Sequence, residues 1–391
     1  MKGIVQFYLA TGFFWFALYA YIPTLSPYIE NMGVPYRTVG LVVGAYGFTQ
    51  MLLRIPLGIW ADTLNRRKPF IMAGLLFASA SGLGLFLAPS VGWAVVARSM
   101  AGVAAATWVP FAVLFASYFP LDQSSRAMGL INACNGAGQV SGMLLGALAA
   151  ERYGMGAPFI VACIGGLVGF AFSLRIVDKA SRPAKSPPTL PQLLSVGTEK
   201  GLLCVSLLGV LIQLLNFGTV YGFTPLAAQA IGATNFQLGV LTTLGILPGI
   251  FASALSGTVF SRIWGERLTI VLGFSLVGLS SLAIPYVTTV GTLYVVQTVG
   301  GFSRGMVFPL LMGLSIRTVA ADKRATAMGF FQAIYGLGMF TGPVLVGLAG
   351  DAAGLRLGFW VAGIIGLFSA ALTQRIIGPS LVKKVDTSPD A

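Results

Sequence analysis

Three arginines stand inside otherwise apolar stretches: Arg54, Arg98 and Arg304. A cation at mid-membrane costs roughly 2.5–3.5 kcal/mol even on the forgiving insertion scale, so each must face a cavity or a partner. Counted along a helix, Arg304 falls roughly 20 Å into its stretch and Arg98 roughly 10 Å, while Arg54 lies about two turns before Asp62. All eleven Asp and Glu fall in or beside loops, and there is no His. The chemistry on offer inside is therefore cationic, with the paired donors that suit carboxylate or phosphate. A structural role also fits, with Arg54 reaching toward the inner loop and Arg98 bonding backbone carbonyls. Neutral polar residues add a second set. Asn132, Asn135 and Gln139 share one helix face at i, i+3 and i+7. Gln213 and Asn216 form a similar stripe. Gln297 recurs 199 residues after Arg98, and Gln332 and Tyr335 recur 200 residues after Asn132 and Asn135. Polar stripes in a membrane face inward. Single interhelical hydrogen bonds would need only one residue each, so a symmetry-related set favours a polar chamber. Trp15, Tyr19, Trp108 and Tyr221 fit its walls or plain packing equally well.

The elements that must hold these groups follow from composition. Hydrophobic residues make up 56% of the 391 and charged residues 9%, with a mean hydropathy of +0.86. A soluble domain is about one quarter charged, so most of this surface meets something other than water. Twelve apolar segments are predicted as helices: 5–25, 38–60, 69–88, 91–117, 126–149, 157–177, 201–229, 237–260, 267–286, 290–316, 326–349 and 357–377. Each is long enough to cross a hydrocarbon core of about 30 Å. They are too long and too uniformly apolar for barrel strands. The expected fold is an all-α polytopic membrane protein. The net charge of +13 does not indicate nucleic acid, because Lys and Arg lie between the apolar runs. Three cysteines, all in apolar segments, give no disulfide framework. The first run follows Lys2 directly and reads as a span, not a cleaved signal. There is no nucleophile–base pair, metal cluster or Walker-type loop, so neither an enzyme nor a cofactor or metal site is expected.

With both termini inside, 18 cations fall on the inner side and 3 on the outer, a strong positive-inside bias. Residues 178–200, rich in Pro, Ser and Lys, have the composition of a cytoplasmic linker. The expected domains are a six-helix bundle over 1–177, the linker 178–200, a second bundle over 201–378 and a cytoplasmic tail, 379–391. The bundles repeat one another. A shift of 199 brings Gly33, Gly40, Gly58, Gly102 and Pro110 onto Gly232, Gly239, Gly257, Gly301 and Pro309. A shift of 200 brings Gly138, Gly142, Glu151 and Gly154 onto Gly338, Gly342, Asp351 and Gly354. Six spans per copy is an even number, so the copies face the same way about an axis along the membrane normal. Such a pair can rock about a central site.

The loop after the second segment runs from Gly58 through Asp62 and Asn65 to Arg66-Arg67-Lys68. It resembles the G-x-x-x-D-x-x-G-R-[RK]-[RK] signature of the major facilitator superfamily, and the resemblance covers the whole chain. It implies twelve transmembrane helices in two pseudo-symmetric six-helix bundles. It also implies a conformational latch of Gly58, Asp62 and Arg66, with the Asp62 carboxylate working against the start of the eleventh segment near Thr326–Ala327. Arg67 and Lys68 fit that role or plain orientation charges. Asn65 stands where the signature has a turn glycine. A weaker copy follows the eighth segment at Gly257, Arg262, Gly265 and Arg267, with Ser261 in place of the acid. Arg98 to Gly102 resembles the R-x-x-x-G element of proton-coupled antiporters. Gly338 to Pro343 resembles their G-x-x-x-G-P element, although that element belongs in the fifth segment, where Met143 replaces the proline.

The expected function is alternating-access transport of a small organic anion or zwitterion across a plasma membrane, with both termini cytoplasmic and the chain acting as a monomer. The alternative is proton-coupled efflux of drugs or metabolites. The expected partners are a small-molecule substrate and the lipid bilayer, with no nucleic acid; the absence of a deep carboxylate or His leaves proton coupling open. The substrate-contacting set is Arg304, Arg98, Arg54, Asn132, Asn135, Gln139, Gln213, Asn216, Gln297, Gln332, Tyr335, Trp108 and Tyr19.

Overall fold

The computed structural model describes residues 2–64, 66–120, 123–178, 196–317, 319 and 323–377. Asn65, most of the 178–200 segment and the tail 379–391 lie outside them. Among the described residues the chain is helical throughout. In chain order the long helices are α1 (Ile4–Glu30), α2 (Tyr36–Thr63), α3 (Lys68–Phe86) and α4 (Val91–Ala116). There follow α5 (Ser124–Tyr153) and α6 (Ala157–Ser173). The second series is α7 (Lys200–Ala230), α8 (Asn235–Ile263), α9 (Gly265–Tyr286), α10 (Val290–Arg317), α11 (Thr326–Ala353) and α12 (Leu355–Ile376). Ten of the twelve are long and apolar enough to cross a bilayer on those two counts alone. The other two depart for visible reasons: α6 has 17 residues, and α5 carries Asn132, Asn135, Gln139 and Ser141 in its middle turns.

Several spans are broken where the sequence supplies a proline. α1 is interrupted at Ala20–Tyr21, ahead of Pro23. α4 is interrupted at Thr107, ahead of Pro110. A π-helical stretch, Asn216–Phe223, widens α7 just before Pro225, and α8 turns at Gly245–Ile246 before Pro248. A proline ring removes one amide donor and clashes with the carbonyl four residues earlier, so the preceding turn must adapt. Wider π turns cluster at functional places. The apolar pattern alone predicts uninterrupted segments and a first helix ending at 25, whereas α1 runs on to Glu30.

The repeat is visible in backbone conformation. Gly33 and Gly232 have φ of 74° and 86°, and Gly154 and Gly354 have 90° and 81°. These are left-handed values that glycine reaches without steric cost, and they lie 199 and 200 residues apart. They make the turns that feed α2 and α8 and that end α5 and α11. Within the first half α1 packs on α5 and α6, α2 and α3 on α4, and α3 on α6; in the second, α9 packs on α10 and α12, and α8 on α10. The two most extensive helix pairs between the halves are α2 with α11, and α5 with α8. Both are close backbone contacts. A Cβ on Gly44 would lie 2.8 Å from the Phe340 carbonyl oxygen, and one on Gly239 would lie 3.0 Å from that of Met143. Small residues permit this approach in a bilayer, where helix association depends on packing.

Candidate functional site

A cavity of about 440 Å³ lies between the halves. Four helical stripes build most of it. On α2, Tyr46, Gln50 and Arg54 follow at i, i+4 and i+8; on α10, Phe308 and Met312 continue the row begun by Arg304. On α5 the stripe is Asn132, Asn135 and Gln139, and on α11 its mates are Gln332, Tyr335 and Met339. Trp15, Tyr19 and Trp108 close one side; Gln213, Asn216, Phe217 and Tyr221 close the other. The lining amides bond one another: Gln139 Nε2 donates to Asn135 Oδ1, and Asn216 Nδ2 donates to Gln213 Oε1 at 3.3 Å.

Ten of the thirteen residues expected from sequence to contact substrate therefore share one cavity wall: Arg54, Asn132, Asn135, Gln139, Gln213, Asn216, Gln332, Tyr335, Trp108 and Tyr19. Three do not. Arg98 is 1% exposed, donates to the Tyr21 hydroxyl at 2.8 Å, and lies 4.6 Å from the centre of the Tyr46 ring. It stands behind the wall, because α4 packs its arginine face against aromatic side chains of α1 and α2. Gln297, also on a packed face, is buried and donates to the Thr224 hydroxyl at 3.3 Å. Arg304 lines a separate pocket of about 220 Å³ that shares Gln213, Asn216, Tyr221 and Phe308 with the central cavity. Tyr46, Gln50, Phe217, Phe308, Met312 and Met339 also line the cavity, beyond the residues expected there. Their signal was the i, i+4 spacing from residues already singled out.

Arg54 is buried and donates to the Tyr335 hydroxyl at 3.3 Å, a bond from one half to the other. Its Nε has no partner among the described residues. On the face carrying the 30–36, 153–157, 230–235 and 353–355 connections, the distal face, the halves meet again. Tyr19 lies edge-on to Tyr221 with ring centres 5.8 Å apart, and Tyr46 stacks on Phe217 at the same 5.8 Å spacing. Beyond these rings, Asp351 at the end of α11 accepts the first amides of α2, from Tyr36 at 2.7 Å and Arg37 at 3.2 Å. Its repeat mate, Glu151 at the end of α5, accepts the Phe236 amide of α8 at 3.1 Å. A carboxylate opposite a helix N-terminus satisfies free amides and meets the positive end of the helix dipole. Each half thus caps a helix of the other on the distal face.

The structure places the expected latch residues at the end of α2 and the start of the loop that follows. Asp62 pairs with Arg67 at 2.9 Å inside its own loop, and no bond from it to α11 is present among the described residues. Arg66 is exposed, whereas Arg67 is buried, because its backbone amide is held by Asp178 at 3.1 Å and its side chain is turned to Asp62. Lys68 is fixed too, donating Nζ to the Leu174 carbonyl at 2.8 Å. Gly58 has no atom within 4 Å of where a Cβ would lie, so it does not mediate a close helix contact. In the second copy, where Ser261 stands at the acid's place, Glu266 five residues on accepts two bonds from Arg317, of 2.6 and 2.9 Å.

Twelve helices in two repeated sets, with a polar and aromatic cavity between them that is closed on one face, form the architecture of a membrane carrier. The chain matches the Major Facilitator Superfamily over residues 7–206 and again over 206–389. It belongs to that superfamily and is a secondary transporter, a multi-pass membrane protein that moves a small-molecule substrate. It is 21% identical over 340 residues to an uncharacterized MFS-type transporter, MJ1560, of Methanocaldococcus jannaschii, covering 85% of this chain and 87% of that one. It is 26% identical to the class G tetracycline resistance protein of Vibrio anguillarum (88% and 89% covered). With the multi-drug resistance efflux pump PmrA of Streptococcus pneumoniae it shares 25% identity (86% and 86%). Its fold resembles that of a bacterial homologue of the human lysosomal transporter Spinster, in an inward-facing and unoccupied conformation, with a TM-score of 0.80, 15% identity and 96% of both chains covered.

Proposed function

We propose that this chain exports amphipathic organic solutes across the plasma membrane by alternating access, with the 178–200 segment and both termini on the cytoplasmic side. The observation that carries this reading is the make-up of the central cavity. Its wall holds eight aromatic side chains and seven carboxamides. Aromatic faces bind apolar ring systems with little conformational cost, and amides supply donors and acceptors that adapt to varied polar groups. That combination suits solutes with a flat apolar body and polar edges better than small, fully hydrated ions. The name of a relative, a multi-drug resistance efflux pump, supports the outward direction, as does the resemblance of Arg98–Gly102 and Gly342-Pro343 to antiporter elements. The excess of inner-side cations supports the orientation. In that orientation the capped distal face lies outside, which suits a state loaded from the cytoplasm.

The test uses everted membrane vesicles energised by respiration, with tetracycline and 8-anilinonaphthalene-1-sulfonate as probes. The expected result is uptake of at least one probe, abolished by an uncoupler and cut about tenfold by Trp108→Ala, the loss of one buried aromatic contact of about 1.4 kcal/mol. Uptake only in right-side-out vesicles, or of neither probe, would overturn the proposal.

A further inference from the structure

We infer that the side pocket around Arg304 is an oxyanion subsite, and that the preferred solutes carry a single carboxylate or sulfonate beside their aromatic body. The inference rests on the proposed role of the central cavity and adds the charge class of what enters it. Among the described residues the Arg304 guanidinium has one hydrogen-bond acceptor, the Gly245 carbonyl, at 3.3 Å. No carboxylate pairs with it, and none lines either its pocket or the central cavity. Among the described residues, Asp62, Glu266 and Asp351 pair with arginines, all at helix ends. Arg304 is thus a cation held in a low-dielectric wall with a single protein acceptor among the described residues. A guanidinium there favours a planar or tripodal oxyanion, which it can engage through parallel N–H donors.

The surroundings suit a small anionic group. The pocket holds about 220 Å³, and Gly249, Gly301 and Gly305 in its wall let α8 and α10 meet backbone to backbone beside it. Gln213 uses its amide oxygen to accept from Asn216, which leaves the Gln213 amide nitrogen as a donor at the boundary between pocket and cavity. Tyr221 and Phe308 line both spaces, so a ring in the cavity and its acidic substituent in the pocket would be continuous. Arg54 on the opposite wall, also without an acid, adds positive potential of the same sign. Clefts with low-dielectric walls and one sign of charge concentrate counter-ions. A cationic amphiphile would meet two guanidiniums and nothing to neutralise it.

The experiment places a reporter thiol in the pocket and reads its charge preference. Ser253 lines the pocket, so Ser253→Cys is made after Cys134, Cys163 and Cys204 are replaced by Ala. Its modification is timed with anionic sulfonatoethyl and cationic trimethylammonioethyl methanethiosulfonate. Gln332→Cys reports the central cavity in the same way. The expected result is that Arg304→Gln lowers the anion-to-cation rate ratio at position 253 by about tenfold or more, as loss of a unit charge nearby requires. At position 332 the change is smaller, and Arg304→Lys restores the ratio at 253. If the ratio at 253 ignores Arg304→Gln, or 253 is inert while 332 reacts, the oxyanion subsite is wrong and the cavity reading stands. If 332 reacts with neither reagent, the central cavity is closed to solutes and both readings fall. Monodisperse elution of every variant confirms that folded protein was labelled.

Discussion

Tyr335 accepts a hydrogen bond from Arg54 across the two halves. A hydrogen bond to a charged group is worth about 1.5–3 kcal/mol. Tyr335→Phe should therefore shift the balance of conformations by about tenfold or more away from the one described. Cysteine accessibility at the distal face measures the shift; unchanged accessibility would make this bond incidental. Arg98 gives a contrasting expectation. It is buried with its charge over Tyr46 and its donor on Tyr21, so Arg98→Leu should lower thermal stability and Tyr21→Phe should do so by about 1–3 kcal/mol, the penalty of one unsatisfied buried donor. A thermal melt in detergent checks both. Loss of ligand binding with unaltered stability would instead put Arg98 in direct contact with substrate. At this scale the sequence was informative where helical period alone decides: residues 132, 135 and 139 had to share a face, and they do. It was misleading where a neighbour decides. Arg98 has the spacing of a cavity residue, but which helix covers its face is a tertiary fact. Likewise, which of three consecutive cations turns toward Asp62 depends on the local turn, and that residue is Arg67, not Arg66.

Among the helices, the pair α2–α11 carries the tightest joint between the halves. Gly44 has the Phe340 carbonyl oxygen 2.8 Å from the place a Cβ would take, with Phe340 Cδ2 at 3.1 Å. Gly44→Leu has no room there. Overpacking of this kind costs about 1–3 kcal/mol, and here it falls on the joint, so transport should be lost while the protein still inserts and purifies. Wild-type transport rates in that variant would mean that the α2–α11 contact opens in every state. Helix existence was readable from twelve apolar runs, because the bilayer sets their length. The breaks were not drawn from the sequence, although Pro23, Pro110, Pro225 and Pro248 marked them. A proline in a membrane helix leaves freed backbone groups that neighbouring helices can satisfy, so the residue alone does not tell a kink from a continuous span such as α10, which runs through Pro309 unbroken.

For the molecule as a whole, the duplication was legible because glycines at left-handed turns cannot drift without strain: Gly33 with Gly232 and Gly154 with Gly354 kept their register. The conformational state was not legible, since it lies in contacts between copies. Glu151 and Asp351 were visible as repeat mates, but their partners, the opposing helix starts at Phe236 and Tyr36, became apparent only in three dimensions. In the proposed cycle these two carboxylates hold the distal face shut, and the halves rock about the cavity when the caps release. The direct measurement is a pair of spin-label distances in Cys-free protein: a distal pair at Tyr153→Cys and Tyr286→Cys, and a pair on the opposite face at Arg66→Cys and Arg262→Cys. Adding Glu151→Gln with Asp351→Asn should lengthen the distal distance and shorten the other. Distances that both stay fixed, or that both lengthen, would contradict rocking about a central cavity.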